Sequence, residues 1–482
     1  MVFLQVKAPK KGIQAMGRKS RLGKATTLLV GIAWLTVAAQ LPSLAQEQPA
    51  SPGQAPSLTL RQAIDQALGK NPEAATAQAD LKMAEAGVSQ ARTGLLPRLN
   101  FTEDISRGND PVYVFGTRLR QQQFTQNDFA LNSLNRPTPV GNFATRFAGS
   151  WMLFNWFGTQ EQIKGARFAA GSAKSMSEEA NQAIVLRVVQ AYQAVLYAQR
   201  RVDVAQREQT TAEALLADAK AKVHAGLAVD SDMLAAQVNL SERRQARIAA
   251  EGDSDVAWAE LETAMGSDVS SPRATLQPIE ARSFPNGVLA DDIASALKTR
   301  PDLKALQQQT SFHTAGAKAA KDSFAPTVSA YGNWEMDKPT FAGNGGNNWV
   351  AGVQLNLDIL PLGKRAQLAQ ERAAQQKAEA QQRAQEQQIR LAVNRAWTEH
   401  QTAERIVATA QASMDQSAES LRILQNRYKA GLATMTDLLR AEDAQRRSQS
   451  DYWRAVYGNT VAYAALMYTT GTLTPDSAEN LQ

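Results

Sequence analysis

The side chains best suited to chemistry in this sequence are three histidines. They are His224, His313 and His400, and they are scattered along the chain without the short spacings that bring metal ligands together. The chain has no cysteine, so it has no thiolate ligands, no disulfides and no thiol catalysis. We therefore expect the three histidines to occupy solvated positions on helices, and we expect no metal site and no cofactor.

Sequence motifs for catalysis are also missing. The sequence has no glycine-rich loop of the kind that cradles phosphates, and no nucleophile elbow. Seven of the 52 Lys and Arg residues fall within residues 1–45, which contain no acid, and the remaining 45 are balanced by 46 Asp and Glu residues. The basic excess thus belongs to one end of the chain. The sequence predicts a protein that is not an enzyme and does not bind nucleic acid.

Residues 1–45 have the three parts of a secretory signal peptide. A basic stretch is followed by an apolar run and then by the small residues Ser43 and Ala45, so cleavage is expected after Ala45. The alternative is an N-terminal membrane anchor, but the apolar run of roughly 14 residues is shorter than the about 20 residues that a span needs. Without cysteine, the exported protein is not lipidated. Residues 46–57 are expected to be flexible.

The rest of the sequence contains an internal repeat. The segment His224-Ala225-Gly226-Leu227-Ala228 reappears as Lys429-Ala430-Gly431-Leu432-Ala433, at an offset of 205. A second register, at an offset of 229, pairs Pro72 with Pro301 and Pro97 with Pro326. The unequal offsets place an insertion in the membrane-side half of the first copy. The expected organisation is a first copy at 58–266, a connecting segment at 267–288, a second copy at 289–471 and a tail at 472–482.

Each copy contains two stretches in which apolar and polar residues alternate. They predict four strands, at about 98–107, 143–154, 327–336 and 349–358. Their length of about ten residues suits a tilted crossing of a bilayer. The pattern fits the wall of a membrane β-barrel, and it also fits strands of a soluble sandwich. Residues 106–142 are the insertion, expected to form an extracellular loop or a segment folded into the barrel mouth.

Two long helices are predicted at about 159–225 and 364–430, where Ala, Gln, Glu, Arg and Leu dominate. They end at tip turns, 226–231 and 431–436, and return helices run to 265 and 470. Such long helices must pack laterally, and four strands are too few to close a barrel alone, so assembly of several chains is required. The expected capping residues are Gly226 and Gly431 at the helix ends, and Ser231 or Asp232 and Thr436 or Asp437 at the helix starts.

Several short motifs follow one another in a fixed order along the chain, and the tip motif occurs in both copies. They are Leu58-Thr59-Leu60-Arg61-Gln62-Ala63-Ile64, Asn71-Pro72-Glu73, Gly94-Leu95-Leu96-Pro97, Ala225-Gly226-Leu227 leading to Asp232, and Ala430-Gly431-Leu432 leading to Asp437-Leu438-Leu439. By these motifs the sequence resembles the TolC family of outer-membrane efflux proteins over nearly all of its exported part. The resemblance implies a mainly helical fold with a small β-barrel part: a homotrimer that closes a barrel in the outer membrane and a coiled-coil α-helical barrel across the periplasm.

The same resemblance assigns roles to the two tips. In that family the tips meet a periplasmic adaptor linked to an inner-membrane pump, which implies a docking surface at Gly226, Leu227, Gly431 and Leu432. Acids beyond the second tip ring the closed entrance in that family. Asp437 matches this pattern, Arg440 departs from a doubled acidic ring, and Asp232 is the first-copy counterpart of Asp437. The alternatives remain a well-capped helical hairpin for the tips and an N-cap for Asp437.

The function implied is an exit duct of a tripartite efflux system, located in the bacterial outer membrane, in contact with its lipid and extending into the periplasm. An alternative is the outer-membrane component of a type I protein secretion system. A soluble periplasmic coiled-coil scaffold is an alternative of another class, since the strand pattern alone does not exclude it.

Overall fold

The structure is a computed structural model, and it describes residues 57–268, 273–276 and 280–481. The predicted signal peptide, with its cleavage position Ala45, lies outside the described residues, as does most of the segment expected to be flexible. Ser57, the last residue of that segment, pairs with Thr275 in a short parallel bridge. The fold therefore begins at or before this position.

The first copy contains a two-residue strand, two short helices, two long strands, two loop helices and the first long hairpin. In chain order its elements are β1 (Ser57–Leu58), α1 (Leu60–Lys70), α2 (Pro72–Arg92), β2 (Arg98–Gly108), α3 (Pro111–Arg120), α4 (Leu131–Asn135), β3 (Val140–Phe154), α5 (Gly158–His224) and α6 (Asp230–Ala264). Helices α3 and α4 lie in the insertion, for which the sequence predicted no helix.

The second copy repeats this order without the loop helices. Its elements, with the connecting strand and the tail, are β4 (Thr275–Leu276), α7 (Leu289–Thr299), α8 (Pro301–Asp322), β5 (Thr327–Lys338), β6 (Gly346–Asn356), α9 (Leu362–Lys429), α10 (Met435–Thr469) and α11 (Pro475–Ala478). The predicted mainly helical fold, with four main strands and a two-fold repeat, is confirmed.

The break between α1 and α2 follows from the sequence Asn71-Pro72. Pro72 suits the first helical position because its ring fixes φ and it lacks the N–H that would go unpaired there. The Asn71 side chain caps the new helix by accepting a hydrogen bond from the Glu73 N–H at 2.8 Å. The equivalent break in the second copy stands at Arg300-Pro301.

Four strands form one antiparallel sheet in the order β2-β3-β5-β6. One face is apolar and exposed, and it carries a row of neighbouring rings, with 5.2 Å between the ring centroids of Phe101 and Phe147 and 5.8 Å between those of Phe147 and Trp334. The opposite face is polar, and Arg146 there binds Glu335 at 2.9 Å. Strands β2 and β6 are the two edges of the sheet, so each needs a partner to satisfy its outer backbone groups.

Each long helix packs against two shorter ones. Helix α5 contacts α2 toward the sheet and α6 toward the tip, while α9 contacts α8 and α10 in the same way. Contacts of α5 with α8 and α10 join the two copies. Among the described helices, none combines the length and the apolar composition that a membrane-spanning helix requires.

The main core lies where the short helices, the tail and the middle of the hairpins meet, a region we call the base. Leu60 and Ile64 of α1, Tyr192 of α5, Leu261 of α6 and Leu473 of the tail are fully buried there. The hydroxyl of Tyr192 donates a hydrogen bond to the Leu58 carbonyl at 3.0 Å. Burial of this apolar area is the main stabilising term for the junction of the two copies.

Candidate docking tips

Both tips end their long helix with the same backbone motif. At the first, the Gly226 N–H donates to the Val223 carbonyl at 3.0 Å and the Leu227 N–H donates to the Lys222 carbonyl at 2.8 Å. Gly226 has a φ of +68°. This is the Schellman arrangement, in which a left-handed residue lets the chain turn back and pair the last carbonyls.

The second tip repeats the motif around Gly431, which has a φ of +76°. Its N–H donates to the Tyr428 carbonyl at 3.1 Å, and the Leu432 N–H donates to the Arg427 carbonyl at 2.8 Å. A side chain added at either glycine would meet no atom within 4 Å. Among the described residues no close contact requires glycine at the two tips, so the left-handed backbone is what favours it there.

The tips present apolar side chains to solvent. Leu227 is 78% exposed, Leu432 is 68% exposed and Val229 is 62% exposed. Nothing in the described part of the chain covers them, although the four helices directly behind them share a small buried core. An exposed leucine at the same place in both repeats is the kind of surface that a partner covers.

The helix starts at the tips differ from the prediction. Helix α10 begins at Met435, its N-cap is Thr434, and Asp437 occupies the third helical position. The prediction of Thr436 or Asp437 as the N-cap was therefore wrong. Helix α10 starts one turn earlier, because Thr434 and Asp437 form a reciprocal capping box.

The first tip also departs from expectation. Helix α6 begins at Asp230, and its N-cap is Val229, which supplies no side-chain hydrogen bond. Neither Ser231 nor Asp232 is the N-cap, so that prediction was wrong as well. The backbone N–H of Asp232 donates to the Val229 carbonyl at 3.0 Å.

Asp437 is bound within its own tip. Its backbone N–H donates to the Thr434 hydroxyl at 3.1 Å, and its carboxylate accepts from the Thr434 N–H at 3.1 Å and from the Thr434 hydroxyl at 2.6 Å. These hydrogen bonds hold the pKa of Asp437 below its usual value, and the nearby Arg440 guanidinium lowers it further. Asp437 therefore keeps its negative charge in moderately acidic solution.

The two tips lie side by side over a shared apolar cluster. Its buried members are Leu215, Ala219, Ala236, Leu421, Met435, Leu438 and Ala441, drawn from all four hairpin helices. Lys222 of the first hairpin places its ammonium 4.1 Å from the centroid of the Tyr428 ring of the second. Burial lowers the pKa of Lys222, but its hydrogen bond with Asp218 and the charge of that carboxylate leave this pKa above its usual value.

Farther from the tips, a polar cavity of about 420 Å³ separates the hairpins. The nearly buried Arg243 of α6 reaches across it to Asp443 of α10 at 2.5 Å and also binds Asn239 at 3.0 Å. Burial raises the pKa of Glu208 and of Glu442, both of which line this cavity. Arg243 is therefore the central cation of the link between the two hairpins.

The histidines occupy three different environments. His224 is exposed beside the first tip, as expected, and His313 is partly buried, with 3.9 Å between its Nδ1 and Glu371. His400 is fully buried in the base between Phe284 and Tyr463, so the prediction of a solvated position was wrong for it. The connecting segment that carries Phe284 covers this face of α9. In the described part of the chain no three His, Asp or Glu side chains are placed to hold a metal ion.

Three contacting groups near the tips were not predicted from the sequence. The Thr434-x-x-Asp437 capping box has a recognisable sequence pattern and could have been found from it. The Lys222–Tyr428 contact and the Arg243–Asp443 pair join different hairpins, and no local pattern indicates them. The predicted tip residues Gly226, Leu227, Gly431 and Leu432 do lie together at one end of the molecule, in two adjacent turns.

Comparisons with known proteins agree with this architecture. The profile of the family described as outer membrane efflux protein matches residues 63–267 and 293–472. The outer membrane efflux protein BepC of Brucella suis is 23% identical over 426 residues, 87% of each chain. The alkaline protease secretion protein AprF of Pseudomonas aeruginosa is 21% identical, over 82% of this chain and 81% of AprF. The crystal structure of the CmeC outer membrane channel of Campylobacter jejuni has a TM-score of 0.74 at 16% identity, covering 87% of this chain and 88% of CmeC.

The fold, with two hairpins joined to a four-stranded sheet, is that of an outer-membrane channel subunit. The chain belongs to the outer membrane efflux protein family, because the family profile covers both repeats and most of the sequence. It is accordingly a channel component that serves transport at the outer membrane, and it is not an enzyme.

Proposed function

We propose that three copies of this chain close into one duct, which carries cargo from an inner-membrane pump and a periplasmic adaptor to the cell exterior. The observation that carries this proposal is the sheet: four strands with an exposed aromatic face and two open edges. Four strands cannot close a barrel, whereas three such sheets joined edge to edge can. The apolar face then meets outer-membrane lipid and the polar face lines the pore.

We further propose that the tips are the docking surface for the adaptor. Leu227 and Leu432 are exposed at equivalent places, and the space around the glycines before them is open. Tip residues of three copies would form a ring at one end of the duct. Apolar residues in a ring, surrounded by charged helix ends, suit a partner with matching apolar contacts.

Cysteine cross-linking tests the docking surface directly, because the chain has no cysteine of its own. Leu227→Cys and Leu432→Cys, carrying a photoactivatable maleimide in cells that contain the pump genes, should each give a covalent adduct with the adaptor. Met83→Cys, on the exposed face of α2 near the sheet, is the matched control and should give none. Adducts from Met83→Cys alone would overturn the docking proposal.

The entrance gate is proposed at Asp437, Arg440 and Asp232. Asp437 is anionic and sits one turn behind the exposed tip, with Arg440 one turn farther along α10. If Asp437 lines the narrowest part, Asp437→Ala should reduce the cation selectivity of single channels in planar bilayers, while Arg440→Ala should increase it. Unchanged selectivity in both variants would leave Asp437 with its capping role only.

We also propose that the chain is exported with cleavage after Ala45 and without a lipid anchor. The basic, apolar and small-residue order of residues 1–45 and the absence of cysteine support this. The mass of the protein purified from outer membranes should equal that of residues 46–482. A mass that includes the first 45 residues would show that the segment is kept as an anchor.

The second candidate function is type I protein secretion, and the similarity to AprF, an alkaline protease secretion protein, favours it. Both functions use a duct, so this chain does not distinguish them and the partner pump does. Deleting the gene and measuring drug sensitivity together with the exported proteins in the medium separates the two. Loss of one secreted protein with unchanged drug sensitivity would show that the chain serves protein secretion and would contradict the efflux proposal.

A further inference from the structure

The loop between β2 and β3 does not extend away from the sheet. Helix α3 lies across the polar face of the sheet and contacts β3, β5 and β6. The Gln121 amide at its end donates to the Asn142 side chain at 2.9 Å and to the Gly141 carbonyl at 2.8 Å. Asn142 in turn donates to Asp337 at 2.6 Å. These buried hydrogen bonds attach α3 to the sheet.

Further contacts attach the helix at both ends. The Tyr113 hydroxyl lies 3.0 Å from the Ser106 hydroxyl of β2. At the other end, Arg120 lies 3.7 Å from Glu335 of β5. A Cβ at Gly346 of β6 would stand 2.2 Å from the Arg120 carbonyl oxygen, so only glycine at this position allows the helix to lie so close.

The face of α3 turned away from the sheet is apolar. Val114, Thr117 and Gln121 face the strands and are buried. On the opposite side, at helical spacing, Val112 is 81% exposed, Leu119 is 49% exposed and Phe115 is 36% exposed. Arg118 forms an ion pair with Asp128 of the loop, so a charge next to this apolar stripe is already neutralised.

Within the duct proposed above, the polar face of the sheet lines the pore. Helix α3 would then lie inside the barrel mouth, and its apolar stripe would point toward the axis. The stripe cannot meet lipid there, because the barrel wall stands between them. The surfaces within its reach are the same stripes of the other two copies, which three-fold symmetry brings to the same level.

We propose that the α3 helices of three copies meet through Val112, Phe115 and Leu119 and form an apolar constriction at the outward end of the duct. This inference rests on the proposed trimeric duct. The partner that covers the exposed stripe is then the same stripe of the other two copies of this chain. A ring of apolar side chains in a narrow water-filled passage resists the entry of water and ions, and it opens when the ring widens.

Leu119→Cys tests the contact between copies. In outer membranes treated with a short bismaleimide, this variant should give a covalent dimer after boiling. Leu355→Cys is the matched control, since Leu355 is exposed on the apolar outer face of the sheet, where the wall of the proposed barrel separates the Leu355 residues of the three copies. Unboiled samples show the trimer itself. An intact trimer without a Leu119→Cys dimer would overturn the constriction alone, whereas the absence of a trimer would overturn the proposed duct and the constriction with it.

Conductance gives a second, independent readout. Phe115→Ser combined with Leu119→Ser changes side chains on the face of α3 turned away from the sheet, where the Phe115 ring also contacts that of Phe124 at 4.8 Å between centroids. The contacts of α3 with the sheet remain, so the chain should fold, and the single-channel conductance should rise. Gly346→Val should raise it by another route, because the added side chain pushes α3 off the sheet. Leu131→Ser, on α4 of the same loop, is the control and should leave conductance unchanged. Equal conductance of the Phe115→Ser/Leu119→Ser variant and the wild type would overturn the constriction.

Discussion

Each return helix, α6 or α10, has a left-handed glycine turn before it at the tip and another after it at the base. The two kinds of turn differ in their surroundings. The tip turns at Gly226 and Gly431 have no atom within 4 Å of an added side chain. The base turns at Gly266 and Gly471 have the same backbone motif, with φ of +68° and +71°. At Gly266, however, a Cβ would stand 2.9 Å from the backbone of Asn71.

The difference separates turns that pack against the same chain from turns that end in solvent. At the base, each return helix ends directly against the start of a short helix, Asn71-Pro72 or Arg300-Pro301, and the core closes around that junction. At the tips the same turn ends in solvent, with an exposed leucine. The core of the base is therefore closed within one chain, whereas the leucines of the tips stay exposed, as the proposed docking of a partner requires.

The largest effect is expected from alanine at the base turn. Gly266→Ala adds left-handed strain and forces Asn71 away, so it should cost more than about 3 kcal/mol. Gly226→Ala adds only the left-handed strain, about 1–2 kcal/mol. The temperature at which the proposed trimer dissociates in unboiled samples on a gel measures both. Gly471→Ala should fall between them, since its nearest atoms stand at 3.0 and 3.1 Å. Equal shifts for Gly266→Ala and Gly226→Ala would remove the distinction between base and tip.

The next-largest effect is expected between the base and the tips, where the Arg243–Asp443 pair joins the two hairpins. Arg243→Ala removes the cation that binds Asp443 and the charge that offsets Glu442, and it leaves Glu208 with Arg446 alone. Burial already raises the pKa values of both glutamates. Because Asp443 is partly exposed, we expect a loss of only about 1–2 kcal/mol.

Arg244→Ala is the matched control for that change. The Arg244 guanidinium lies on the surface, 3.5 Å from Glu213, and this pair should contribute almost nothing to stability. Urea unfolding of the helices, followed by circular dichroism, compares the two variants. If Arg244→Ala proved as costly as Arg243→Ala, the hairpins would not be joined through the cavity.

The base and the tips also differ in how much of them the sequence predicted. The four strands, the two long helices and the left-handed glycines all follow from local patterns, namely alternation, helix formers and the Ala-Gly-Leu turn. The burial of His400 does not, because a connecting segment without periodicity covers it. The path of α3 depends on Gln121 meeting Asn142, two residues whose contact no spacing in the sequence indicates.

A smaller effect at the base depends on pH. Burial lowers the pKa of His400 below its usual value, more than the nearby Glu404 and Asp292 raise it. Below about pH 6.5 the unfolded chain therefore binds a proton that the folded chain does not, and stability falls as pH falls. The slope from this one group is at most about 1.4 kcal/mol per pH unit.

His400→Leu should abolish this contribution. The difference in trimer dissociation temperature between about pH 7.5 and about pH 5.5 should be smaller in this variant than in the wild type. Buried acids such as Glu208 act in the opposite direction, since their pKa is raised, and they are the same in both proteins. If the temperature difference between the two pH values were the same in His400→Leu and in the wild type, His400 would not set the acid sensitivity of the base. His224→Leu, at the exposed tip, is the control.

The smallest effect distinguishes the two tips from each other. Thr434→Ala breaks the capping box of the second tip and should cost about 1 kcal/mol, whereas Thr434→Ser should cost little. The first tip has valine in that place, followed three residues later by Asp232. Val229→Thr therefore completes the same capping box and should stabilise the start of α6 by up to about 1 kcal/mol. Hydrogen exchange in the first turns of α6 and α10 measures both changes. If Val229→Thr left exchange in α6 unchanged, the two tips would differ in more than this one side chain.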